Sequence, residues 1–212
     1  MPNRLADLRE RHAGATIHIV GCGPSLDRFD LAAFERPGSI SICVNHAIDV
    51  VPRRSARYWI LQDIDVARSF AYRKPLCARL VPTTILEALA QDHTEIFRAW
   101  ANDYFTLWRP QTDTPVVTRD AAAASYSLYV CQGTVTPAAH LAWFLGAGRV
   151  VFVGCDGGVG TSAEQANAVR TAEERQSRVG VDYTLMRRSA ERVLRLLRVP
   201  FEHAGEEVPC DA

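Results

Sequence analysis

Short apolar runs rich in β-branched residues alternate along this chain with segments of helical period. Six of the runs read as buried strands: TIHIVG (16–21), SISICVN (39–45), ARYWILQ (56–62), ARLVPT (78–83), SLYVCQ (127–132) and RVVFVG (149–154). A seventh, VPFEHA, closes the series near the C-terminus. Between them the pattern predicts helices at RLADLRERH near the N-terminus, at TILEALAQ and EIFRAWAND in the middle, and at VTPAAHLAWFLGA (135–147). A last helix, TLMRRSAERVLRLLR (184–198), sets Leu185, Val193, Leu196 and Leu197 at near-helical spacing. Uninterrupted apolar strands alternating with helices predict an α/β, Rossmann-like fold, a mostly parallel sheet with helices on both faces.

The 212 residues fit a single domain, since chains split only beyond roughly 250–300 residues. The polar stretch TSAEQANAVRTAEERQSRVG (161–180) interrupts the passage to the final helix, as a lid over a site or a solvated surface helix. Lys plus Arg equals Asp plus Glu, 24 each, so no global field draws the chain to nucleic acid or anionic lipid. No apolar run approaches the ~20 residues that cross a bilayer, and the N-terminus lacks the apolar core of a signal peptide. A cytoplasmic location is expected. The six cysteines form no CxxC pair and read as reduced, buried thiols.

Open parallel sheets bind ligands beyond the carboxyl ends of their strands, so the informative residues follow each apolar run. After the first run come Gly21, Gly23, Pro24 and Ser25, in IVGCGPSL. The glycines allow a tight turn and close backbone approach, Pro24 suits the first turn of a helix, and Ser25 offers an amide and a hydroxyl to a phosphate. The turn is neither a P-loop nor a full GxGxxG. Asn45 ends the second run, where a polar residue reads ribose or base, or caps a turn. Asp63 and Asp65 follow the third; two apart in extended chain, they point the same way and could share a metal, unless Asp63 caps a helix. Gly133 opens another strand–turn–helix unit, with Thr134 or Thr136 as cap and His140 packed inside the helix. Gly154 and Asp156 stand in VGCDGGVG, just past the sixth run, where Asp156 touches a ligand or caps the turn.

Three segments together, IVGCGPSLD, CVNHAI and QGTVTPAAHLAWFLGAGRVVFVGCDGG, resemble the ordered landmarks of the 6-hydroxymethylpterin diphosphokinase-like (MptE-like) proteins. They are also similar to the sialyltransferases of glycosyltransferase family 42. The sialyltransferase resemblance implies that Gly21, Gly23, Pro24 and Ser25 hold a CMP phosphate, that Asn45 contacts the nucleotide, and that Gly133 and Gly154 to Asp156 line the same cleft. That family's histidine before its last helix has no counterpart, because VGVDYTLMRR supplies Asp182 and Tyr183 instead. Asp156, Asp182 and Tyr183 are then the candidate catalytic groups. The diphosphokinase resemblance implies ATP and Mg²⁺, with Asp63, Asp65 and Asp156 near the metal. The expectation is a transferase acting on a small-molecule nucleotide and an acceptor, favoured as glycosyl transfer from a CMP-sugar-like donor. Diphosphate transfer from Mg-ATP and a non-catalytic nucleotide-binding protein are the alternatives.

Overall fold

A computed structural model of the chain describes residues 5–52, 55–62, 78–82, 103–108, 127–129, 133–156 and 184–205. Eight strands form one sheet in the order β6-β5-β4-β3-β2-β1-β7-β8, and every pairing is parallel. They are β1 (Thr16–Val20), β2 (Ser39–Val44), β3 (Ala56–Ile60), β4 (Ala78–Pro82), β5 (Asp103–Trp108), β6 (Ser127–Tyr129), β7 (Arg149–Val153) and β8 (Phe201–His203). Seven lie inside the apolar runs read from the sequence. The eighth, β5, was not among them: the helical reading of EIFRAWAND ran to Asp103, where this strand begins. Its aromatic sequence, DYFTLW, suits a pleated surface.

The strands β1, β2, β3 and β7 are buried on both faces, which explains why they read as continuous apolar runs rather than as alternation. Ile17, Ile19, Ile42, Ile60, Val150 and Phe152 pack on one face against α1 (Val135–Phe144) and α2 (Thr184–Leu196). Alternate residues Val20, Cys43, Trp59, Val151 and Val153 pack on the other against Leu26, Phe34, Ala47 and Val51. Among the described residues, the cover on that second face is made of 3-10 turns, Pro24–Arg28, Leu31–Glu35 and Asn45–Asp49, where the sequence suggested a helix starting at the glycine turn. The cause is local. Asp30 accepts the Ala32 N–H at 3.0 Å, which ends one turn and starts the next, and Pro37 and Gly38 follow at once. Among the described residues, Cys22, Cys43 and Cys155 are buried and not in disulfides.

Two helix readings change. Of RLADLRERH, only the 3-10 turn Leu5–Leu8 is helical. The following backbone donates instead to the end of α1: Glu10 N to Phe144 O at 2.9 Å, His12 N to Leu145 O at 2.8 Å and Gly14 N to Gly146 O at 2.8 Å. These bonds satisfy carbonyls that a helix end leaves unpaired. In α2, Leu185 and Leu196 are exposed while Ala190, Val193, Leu194 and Leu197 face the core. Residues eleven apart stand about three turns apart on one side, and here that side faces outward. The segment TILEALAQ, the part of EIFRAWAND before Asp103 and the excursion 161–180 lie outside the described residues.

Candidate functional site

From β1 the chain proceeds to β2 and onward to one edge of the sheet; it then returns to β7 on the other side of β1 and continues to β8. The order therefore reverses between β1 and β7, and the crevice beyond their carboxyl ends is the topological switch point. The two glycine-bearing turns of the sequence meet there.

They meet by direct contact. Gly21 N donates to Val153 O at 2.8 Å and Gly23 N to Gly154 O at 2.7 Å, extending the β1–β7 ladder past both strands. Ser25 is buried and makes two crossing bonds. Its N–H donates to Asp156 Oδ2 at 3.0 Å, and its Oγ accepts the Gly154 N–H at 3.0 Å. A Cβ on Gly23 would overlap Asp156 Oδ2 and stand 2.8 Å from Gly154 O. One on Gly21 would overlap Gly154 O and lie 3.0 Å from Cys155 Sγ. Gly154 itself has φ +64°, a left-handed conformation that suits glycine. The glycines are thus spent on the approach of one turn to the other, and the Gly23 and Ser25 amides are engaged within the chain. Pro24 opens the short 3-10 turn between them.

Asn45 stands at the end of β2, the neighbour of β1, with φ +52°. Its carbonyl accepts the Trp59 indole N–H at 2.8 Å, which pins the backbone, while its side-chain Oδ1 is buried without a hydrogen-bond partner. Gln62, just past β3, has a buried Oε1 in the same condition. The sequence reading overlooked Gln62; its signal was its place as the polar last residue of the run ARYWILQ. Buried acceptors of this kind are uncommon and each costs ~1–3 kcal/mol if nothing donates to it.

Because α1 leads into a strand of a parallel sheet, it runs antiparallel to the strands, and its N-terminus lies at the crevice end. Thr134 precedes it without capping it through its side chain. The positive end of a helix at this crevice belongs to α1 rather than to the segment after Gly23. Gly133, φ +59°, presses against Met186 of α2, where a Cβ would overlap the thioether sulfur. His140 is buried in α1: Nδ1 accepts the Tyr129 N–H at 2.7 Å, the ring stacks on Trp143 at 5.6 Å, and burial lowers its pKa to about 4. It is packed, as its sequence position suggested, and stays neutral.

Arg187, also missed from sequence, reaches from α2 to Asp156. Its Nη1 donates to the Asp156 carbonyl at 3.2 Å and its Nε to Glu191 at 2.8 Å. Glu191 is buried and also meets Arg195 at 2.8 Å and His203 at 2.9 Å. Burial pushes its carboxyl pKa up, but the Arg187 hydrogen bond and the His203 and arginine charges outweigh this and hold it below the usual range. Cys155 is no nucleophile, because burial raises its thiol pKa well above the ordinary value. The structure therefore brings Gly21, Gly23, Ser25, Gly154 and Asp156 into one knot, with Asn45 on the adjacent strand. Asp63, Asp65, Asp182 and Tyr183 lie outside the described residues.

No protein-family model matches the chain, and no curated protein matches it. Among solved structures it is similar to the MAf glycosyltransferase from Magnetospirillum magneticum AMB-1, at 18% identity and a TM-score of 0.44, over 76% of this chain and 28% of that one. The chain spans under a third of that protein's length.

Proposed function

We propose that the crevice between β1 and β7 binds a nucleotide and that the protein transfers a glycosyl group from a nucleotide sugar to a small acceptor. The observation that carries the binding reading is Asn45. Its backbone is held in a left-handed conformation and its buried Oδ1 lacks a donor, at the strand end next to the switch point. A ribose hydroxyl or a base amino group supplies the missing hydrogen bond, and the uncapped first turn of α1 supplies amides for the phosphates. The choice of a sugar donor, CMP-linked in the favoured form, rests on the resemblance of the GCGPSL, VNHA and GCDGG segments to family 42 enzymes.

In this reading Ser25 and Asp156 act first by fixing the two turns. Asp156 spends Oδ2 on the Ser25 amide, and Oδ1 is the oxygen left to take the acceptor hydroxyl's proton as the sugar leaves the phosphate. Asp182 and Tyr183, which stand where family 42 enzymes carry their histidine, are the other candidate catalytic groups. The test is isothermal titration with CMP, CDP, UDP, GDP and ATP, in EDTA and in Mg²⁺. Micromolar binding of a pyrimidine nucleotide that survives EDTA is expected. Binding of ATP alone, tightened a hundredfold by Mg²⁺, overturns this reading in favour of diphosphate transfer.

A further inference from the structure

We propose that a second binding site, for a small organic monoanion with an apolar body, lies at the end of the sheet opposite the crevice. A cavity of about 500 Å³ opens there, within the ~300–1,000 Å³ typical of ligand pockets. Thr16, Ser39 and Arg149, the first residues of β1, β2 and β7, mark its place at the amino ends of the strands. Phe29 and Ala33, from the chain of 3-10 turns between β1 and β2, form part of its wall.

The chemistry of the walls selects the ligand. Phe29, Ala33, Val151 and Ala204 give an apolar interior. The charges are unbalanced: Arg149 is paired with Glu202, whereas no carboxylate among the described residues pairs with Arg36, at the rim. His18 lies on the floor, its Nδ1 within 3.0 Å of Ser39 Oγ and its ring edge-on to Phe34 at 5.4 Å. Burial first, and then the Arg149 and Arg36 charges, lower its pKa despite the Ile40 and Glu202 contributions, so the floor adds no positive charge at neutral pH. One guanidinium above an apolar chamber matches one carboxylate on an apolar body. This site shares no residue with the nucleotide crevice at the other end of the sheet.

The experiment uses the full chain and three probes by calorimetry: 4-phenylbutyrate, the uncharged 4-phenylbutan-1-ol, and inorganic phosphate. The acid is expected to bind saturably at one site, with the alcohol and phosphate at least ~10-fold weaker. Arg36→Gln, at an exposed position, should weaken the acid ~10-fold or more, and Ala33→Trp should block the chamber. Equal binding of acid and alcohol, or an Arg36→Gln protein that binds like wild type, overturns the proposal. So does loss of binding in Asn45→Gly with Arg36→Gln unaffected, which would put the anion in the crevice.

Discussion

The Asp156 carboxylate accepts the backbone N–H of Ser25 at 3.0 Å across 131 residues of sequence, and the Ser25 hydroxyl accepts the Gly154 N–H in return. This reciprocal pair locks the turn after β1 to the turn after β7. Hydrogen bonds to a charged partner contribute about 1.5–3 kcal/mol, and an abandoned buried donor costs about 1–3 kcal/mol. Asp156→Ala and Ser25→Ala should each lower stability by about 1–3 kcal/mol in urea denaturation. Asp156→Asn, which keeps an acceptor, should lose less. Additive losses in the Asp156→Ala, Ser25→Ala double variant would show that the two bonds are not one coupled unit.

Gly23 and Gly38 separate two reasons for a glycine. At Gly23 the backbone is extended, with φ −78°, and the obstacle is Asp156 and Gly154. At Gly38 φ is +79° and nothing lies within 4 Å. Gly38→Ala should cost about 1–2 kcal/mol through the backbone alone. Gly23→Ala should cost about 1–3 kcal/mol by overpacking, and removing the Asp156 side chain should relieve part of it. Thermal melts of the two single variants and of Gly23→Ala with Asp156→Ala measure this. The sequence reading assigned Gly23 to a tight turn and close backbone approach; in the structure that space is taken by Asp156 and Gly154, so a side chain there costs stability first.

Asn45→Gly tests binding apart from folding. Glycine accepts a φ of +52° without strain and removes a buried oxygen that has no partner, so stability should hold or rise slightly. Nucleotide affinity should fall about 10-fold, the effect of losing one buried hydrogen bond worth ~1–3 kcal/mol. Unchanged affinity, measured by calorimetry on a folded variant, would return Asn45 to a turn residue.

His140 sets an acid limb of stability. Its folded pKa of about 4 lies below the ordinary 6.5 because burial excludes the charge. Below pH 6.5 the unfolded chain gains a proton that the folded one refuses. The stability His140 contributes is therefore complete above pH 6.5 and is lost as pH falls towards about 4, by an amount on the order of 3 kcal/mol. His140→Gln keeps an acceptor for the Tyr129 N–H and does not titrate. Its urea midpoint should fall less between pH 7 and pH 4.5 than that of the wild type.

How much of this was legible in the chain depends on the range of each interaction. Seven strand positions and the helices α1 and α2 follow from local period, because a segment's own side chains reveal which of its sides is buried. The candidate residues Gly21, Gly23, Ser25, Asn45 and Asp156 were visible for a similar reason: a parallel sheet puts its functional positions just past its apolar runs. Strand order was not visible. That β1 pairs with β7 on one side and β2 on the other is a matter of contacts between distant segments, and it alone decides that Gly23 faces Gly154 and that Ser25 meets Asp156. The same holds for Arg187, unremarkable in its helix until α2 brings it to the Asp156 carbonyl. The 3-10 turns after Gly23 also escaped the period, because Asp30 and the space left on the sheet decide them rather than apolar spacing. Local pattern marked the buried strands and helix faces, though not that Leu185 and Leu196 turn outward; only the tertiary structure decided what each buried residue packs against.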